Sequence, residues 1–119
     1  MSDNIILNKT YLFAVKIVKL SQYLVSEKKE FVLSKQILRS GTSIGANTEE
    51  AVGGFSKKDF IYKLNIAYKE ARETKYWLRI LKDTDYINND TFKTLFDELE
   101  QILKILFSII KKSRENGGK

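Results

Sequence analysis

Apolar residues return along this chain at intervals of three and four, the spacing of one face of an α-helix. Phe13, Ile17, Leu20 and Leu24 recur at i, i+4, i+7 and i+11 and predict a helix over residues 9–25. The polar "SEKKEF" that follows reads as a connection. Leu33, Ile37, Gly41, Ile44, Thr48, Ala51 and Phe55 form a second stripe, predicting a helix over 33–53 that Gly53-Gly54 would end. Ser56 with Asp59 three residues later has the form of a capping box. It opens a predicted third helix over 57–82, whose main stripe is Phe60, Leu64, Ala67, Ala71, Thr74 and Leu78. "DTDYINND" breaks the period again, with Asn89 or Asp90 as the expected cap of a fourth helix over 90–113. That helix carries Phe92, Leu95, Phe96, Leu99, Ile102, Leu103, Leu106 and Ile110 on one broad face. Residues 115–119, "ENGGK", read as a disordered tail.

Amphipathic helices with short connections default to an up-down bundle. The expected architecture is therefore an all-α, up-down four-helix bundle in a single domain spanning 1–119. Helix one is expected to be short beside helices two and three, making the bundle uneven. The absence of proline agrees with long uninterrupted helices.

Helix three carries more apolar surface than one core contact needs. Beyond its main stripe it places Tyr62, Ile66, Tyr76, Trp77 and Ile80 over much of its remaining circumference. A helix apolar on two faces buries one in its own chain and the other elsewhere. Those five residues are the candidate interface of a homo-oligomer, a setting in which Trp and Tyr are enriched. The alternative is that they cover loops.

Composition removes several chemistries. With no cysteine and no histidine, the usual zinc sites, Ser-His-Asp and Cys-His nucleophiles, and any histidine base are excluded. The first residues place acid and amide ahead of the apolar positions, the reverse of a signal peptide. No apolar run reaches the roughly 18–20 residues of a membrane span. A cytoplasmic location and no membrane partner are expected. The net charge of +6 is compatible with RNA, DNA or an acidic protein as partner, and equally with lysine-rich genome composition.

"RSGTSIGANTEEA", Arg39 to Ala51, is the one segment whose composition departs from plain amphipathic helix. Gly41 and Gly45 lack the spacing and following lysine of a phosphate loop, and no third glycine or preceding strand suggests a dinucleotide site. The helical period runs through both glycines. Each costs about 0.5–1 kcal/mol against alanine inside a helix. Gly41, Gly45 and Ala46 are therefore expected to form a close helix contact. Arg39, Ser43, Asn47 and Glu50 share a line and predict a polar row fixing helix register, with Glu70 and Glu73 of helix three as partners for Arg39. The alternative is a solvated face.

Two further constellations concern ligands. Glu49, Glu50, Glu70 and Glu73 could gather around Mg²⁺, making the chain a nucleotide hydrolase. Only Glu70 and Glu73 have the paired spacing, however, and the cations between them favour ion pairing. Arg72, Lys75, Arg79 and Lys82 form a basic stripe on helix three near Tyr68 and Tyr76. Lys104, Lys111, Lys112 and Arg114 make a second basic zone on helix four. Cations with neighbouring aromatics suit contact with a nucleic-acid backbone; a solvated helix edge is the alternative. No catalytic, cofactor-binding or metal-binding residue is assigned.

Gln36 to Leu81 resembles the signature region of the bacterial 23S rRNA intervening-sequence proteins. The matching pieces are Leu38-Arg39-Ser40, Ser43-Ile44-Gly45-Ala46-Asn47, Glu49-Glu50-Ala51, Ser56 with Asp59-Phe60, Ala67, Glu70-Ala71, Glu73-Thr74 and Trp77-Leu78. The resemblance implies a small non-enzymatic bundle with a largely unassigned biochemical role. Such proteins are similar to the accessory protein of diversity-generating retroelements, a pentameric ring that binds nucleic acid and a reverse transcriptase. A homopentamer, an RNA or DNA partner, and a protein partner such as a reverse transcriptase are thus what the resemblance implies. A protein-interaction scaffold with no nucleic-acid role is the alternative.

Overall fold

The computed structural model describes residues 2–117, with side chains from Ile5 to Asn116. The chain forms α1 (Ser2–Ser26), α2 (Leu33–Val52), α3 (Lys57–Asp83) and α4 (Asn89–Gly117). No strand occurs among the described residues. Each helix packs on the one before it and α4 returns to α1, so the four stand up and down in a ring. The bundle is 51 Å long and 22 by 20 Å across. No described helix is long and apolar enough to cross a membrane.

α1 starts well before residue 9, because Ile6 continues the core stripe one heptad ahead of Phe13 and is 1% exposed. With 25 residues α1 exceeds the 20 of α2, so α2, not α1, is the short member. α4 runs through residues 115–117, which are helical rather than a disordered tail; residues 118 and 119 lie outside the described residues.

The connections show how each helix is started and stopped. Glu30 caps α2 from outside it, accepting from the backbone N–H groups of Val32 at 3.2 Å, Leu33 at 3.0 Å and Ser34 at 2.8 Å. A carboxylate there satisfies orphan donors and faces the positive end of the helix dipole. Ser56 caps α3 by accepting from the Asp59 N–H at 3.1 Å. α3 stops in a Schellman arrangement, with Tyr86 N–H on the Leu81 carbonyl and Asp85 N–H on that of Lys82. The left-handed residue it requires is Asp85, at φ 66°. Asn88, one residue ahead of the expected cap, accepts from Thr91 N–H at 2.8 Å and starts α4. Gly53 ends α2 at φ −85°, so the glycine pair supplies no left-handed residue there.

The core is formed by Phe13, Ile17 and Leu24 of α1, Ile37 and Ile44 of α2, Leu64, Leu78 and Leu81 of α3, and Leu99, Ile102 and Leu106 of α4. Phe55 drops out of its predicted stripe: it projects fully into solvent from the α2–α3 connection.

The small residues of α2 touch α1. A Cβ on Gly41 would lie 2.8 Å from Ile17 Cγ2 and 2.9 Å from Cγ1. One on Gly45 would meet the Thr10 carbonyl oxygen at 3.3 Å. Both glycines are buried, so the missing side chains are what lets the two helices approach. Ala46 is not part of this contact; it is exposed, turned away from the crossing by the helical step.

Gly41→Ala is therefore expected to destabilise the fold despite alanine's better helix propensity. Ile17 is fully enclosed and has nowhere to go, so overpacking of about 1–3 kcal/mol outweighs a propensity gain of about 1 kcal/mol. Chemical denaturation should show a lower midpoint for Gly41→Ala and a smaller change for Gly45→Ala; a more stable Gly41→Ala would remove this reading of the crossing.

Candidate nucleic-acid interface

α3 packs antiparallel to α4, and this brings the two basic zones partly together. Between the helices runs a groove of about 580 Å³, lined by Tyr68, Arg72, Lys75, Tyr76 and Arg79 of α3 and Glu100, Leu103, Lys104 and Phe107 of α4. Arg72, Arg79 and Lys104 are exposed. Among the described residues they form no ion pair.

The other cations have other neighbours. Lys75 lies 2.7 Å from Glu100 Oε2 and 5.2 Å from the Phe96 ring centre, so it neutralises the one carboxylate in the groove. That oxygen is shielded from solvent and makes no well-aligned hydrogen bond. Lys82 sits over Phe92 at 5.0 Å, away from the groove lining. Arg114 reaches Asn65 at 3.5 Å. Lys111 and Lys112 are exposed on the last turns of α4 and do not line the groove.

Aromatic side chains stand among the free cations. Tyr68 and Phe107 meet across the groove with ring centres 6.2 Å apart and planes at 46°. Tyr76 is exposed and leans edge-on against Trp77 at 5.2 Å. The groove therefore combines positive charge with two exposed aromatic side chains, Tyr76 and Phe107, and with Tyr68, which is partly buried against the core. It was legible in the sequence only as two separate basic zones, since Lys104 and Phe107 join Arg72 and Arg79 through tertiary packing.

The row on α2 behaves differently. Arg39 pairs with Glu70 at 3.1 Å and also with Glu73. Glu73 in turn accepts from Trp77 Nε1 at 2.9 Å. Glu50 pairs with Lys63 at 2.8 Å, and that hydrogen bond, followed by the carboxylate's charge, raises the Lys63 pKa. Ser43 and Asn47 instead bond back to carbonyls of their own helix, Ser43 to Arg39 at 2.6 Å and Asn47 to Ser43 at 2.9 Å. The row crosses to α3 only at its two ends. Because Glu50, Glu70 and Glu73 are engaged by cations, their geometry gives no support to a shared Mg²⁺ site, and no group of three metal-ligating side chains occurs among the described residues.

The buried polar contact between α2 and α3 lies one position along from that row. Thr74 Oγ1 is 2.9 Å from Ser40 Oγ and 2.8 Å from the Glu70 carbonyl, and both residues are fully buried. Thr74 can donate to the carbonyl while accepting from Ser40. A lone Thr on an apolar stripe gives no sign of this.

The residues proposed as an oligomer interface divide. Tyr62 and Tyr76 are exposed, Ile66 and Ile80 are partly buried, and Trp77 packs against the core of its own chain. Further exposed apolar side chains lie on α1, where Tyr11, Val18 and Val25 recur at heptad spacing, with Ile5 and Leu12 beside them. Residues seven apart fall on nearly one line of a helix, so these side chains share a face. The periodicity that identified the α1 core gave no weight to this side.

Comparison with known proteins adds the following. Residues 2–108 match the family described as 23S rRNA-intervening sequence protein. A solved structure from Bacteroides thetaiotaomicron VPI-5482, of a protein with unknown function from the S23 ribosomal protein family, is similar with a TM-score of 0.92 and 55% identity. The match covers 93% of this chain and 99% of that one. No curated protein matches.

The Ser40–Thr74 contact yields a stability prediction. Thr74→Val should cost about 1–3 kcal/mol, because it leaves the Ser40 hydroxyl buried without its partner. Ser40→Ala together with Thr74→Val should recover part of that loss in urea denaturation. Additive losses would show that the two hydroxyls are not coupled.

Proposed function

The chain belongs to the 23S rRNA-intervening sequence protein family, and from that footing we propose that it is a non-enzymatic, homo-oligomeric bundle that binds RNA or DNA. The observation that carries this reading is the α3–α4 groove, where Arg72, Arg79 and Lys104 remain unpaired among the described residues beside Tyr68, Tyr76 and Phe107. Guanidinium and ammonium groups at a groove mouth neutralise phosphates and release counterions, giving affinity without sequence selectivity. Lys111 and Lys112 extend the positive surface beyond the groove.

Self-association fits the apolar row on α1, which would bury Tyr11, Val18 and Val25 against another copy. A pentamer is the assembly that the resemblance to the retroelement accessory protein suggests. A ring would repeat the groove around its circumference and multiply a weak single-site affinity. The same α1 face supports a second reading, a scaffold that docks another protein, such as a reverse transcriptase, without nucleic acid. A cytoplasmic location accords with both.

Titrating a labelled 20-nucleotide RNA and the matching DNA across potassium chloride concentrations tests the first reading. Affinity should fall steeply with salt, and the Arg72→Ala, Arg79→Ala, Lys104→Ala triple variant should flatten the log–log slope by about 2. A slope near zero in the unaltered protein would refute it. For assembly, light scattering at micromolar concentration should give a mass several times that of one chain, and Tyr11→Lys with Val18→Lys should reduce it; a monomer before substitution would contradict self-association.

A further inference from the structure

The positions of the aromatics are not explained by phosphate binding alone. Phe107 is 57% exposed and Tyr76 is 54% exposed, yet both stand in a groove lined by Arg72, Lys75, Arg79 and Lys104. A surface that reads only phosphates needs cations and hydrogen-bond donors; an exposed phenyl ring contributes nothing to it. Tyr68 neighbours Phe107 with ring centres 6.2 Å apart, and Tyr76 leans edge-on against Trp77 at 5.2 Å, so each groove ring has an aromatic neighbour. A double helix hides its base faces in the stack and offers a protein phosphates, sugars and base edges, but no free ring face. An unpaired strand offers both parts at once, bases for the rings and phosphates for Arg72, Arg79 and Lys104.

Resting on the groove reading above, we infer that the α3–α4 groove is selective for single-stranded nucleic acid, with unpaired bases stacked on Tyr68, Tyr76 and Phe107 while Arg72, Arg79 and Lys104 track the phosphates. The charge pattern gives the strand a path. Lys75 covers Glu100, so the groove floor carries no net repulsion, and the free cations occupy both walls. From Tyr68 to Arg79 the α3 wall is about 16 Å long at the helical rise, room for a few nucleotides. Stacking on such rings tolerates any base, because every base has a π-face. The groove thus discriminates pairing state rather than sequence.

Fluorescence anisotropy with the full chain tests this using three 12-nucleotide probes at one salt concentration: a single strand, its duplex, and a strand with abasic sites throughout. The single strand is expected to bind at least about tenfold tighter than either of the others. Tyr76→Ala with Phe107→Ala should bring the single strand down to the abasic level and leave the duplex unchanged. Tyr76→Phe with Phe107→Tyr should keep the preference, which separates loss of ring faces from loss of fold, and circular dichroism checks that each variant remains helical. Equal binding of the single strand and the abasic strand, or an unaltered preference in the double-alanine variant, would overturn the inference while leaving the cationic groove standing. Failure of the groove reading itself looks different: the Arg72, Arg79, Lys104 triple-alanine variant would then bind all three probes as the unaltered chain does.

Discussion

A methyl group on Gly41 would sit 2.8 Å from the side chain of Ile17, and this closeness organises the bundle around α2. Residues 40, 41 and 45 present hydroxyl or hydrogen where a larger chain would hold the neighbours away. On one side α1 rests against the glycines; on the other Ser40 meets Thr74 of α3 inside the core. Helix propensity is given up at two positions and offset by dispersion contact over the crossing. The segment that first draws the eye for its phosphate-loop composition is thus a packing surface, and the helix it touches belongs to the same chain.

The opposite side of the bundle is built from larger side chains and is correspondingly open. Grooves run along both flanks of α4, one against α3 and others against α1. The α1 side is bridged by polar contacts, Lys9 with Gln101 at 2.8 Å and Lys16 with Glu98. On the α3 side Arg72, Arg79 and Lys104 form no ion pair among the described residues. Lys75 and Glu100 cancel within it, and what remains is positive and aromatic. The bundle thus divides into a tight half around α2 and a more open half around α4, and the proposed binding groove lies on the open half between two helices rather than on a loop.

Much of this was legible in the sequence because helices advertise their buried side. Phe13, Ile17, Leu20 and Leu24 are all in the core, as are Leu99, Ile102 and Leu106. What stayed hidden has physical reasons. Glu30 caps α2 through its side chain from outside the helix, so no helical period includes it. Ser40 and Thr74 are single hydroxyls on apolar stripes, and only the pairing of two helices shows that each satisfies the other. Trp77 lies off the main stripe and so reads as part of an oligomer interface, yet its indole N–H is taken up by Glu73 and its ring leans on the core. The apolar row of α1 gives little signal in the sequence because a helix apolar on most sides yields a weak contrast between faces. The groove needed two helices and their register, which no single stretch of sequence contains.

Photo-crosslinking tests the central claim most directly. A short single-stranded RNA carrying 4-thiouridine, irradiated on the unaltered protein and mapped by mass spectrometry, reports which side chains a base touches. The account predicts crosslinks on the peptides that hold Tyr68, Tyr76 and Phe107. Crosslinks confined to α1, or to the lysines around Phe55, with none in the α3–α4 groove, would contradict it.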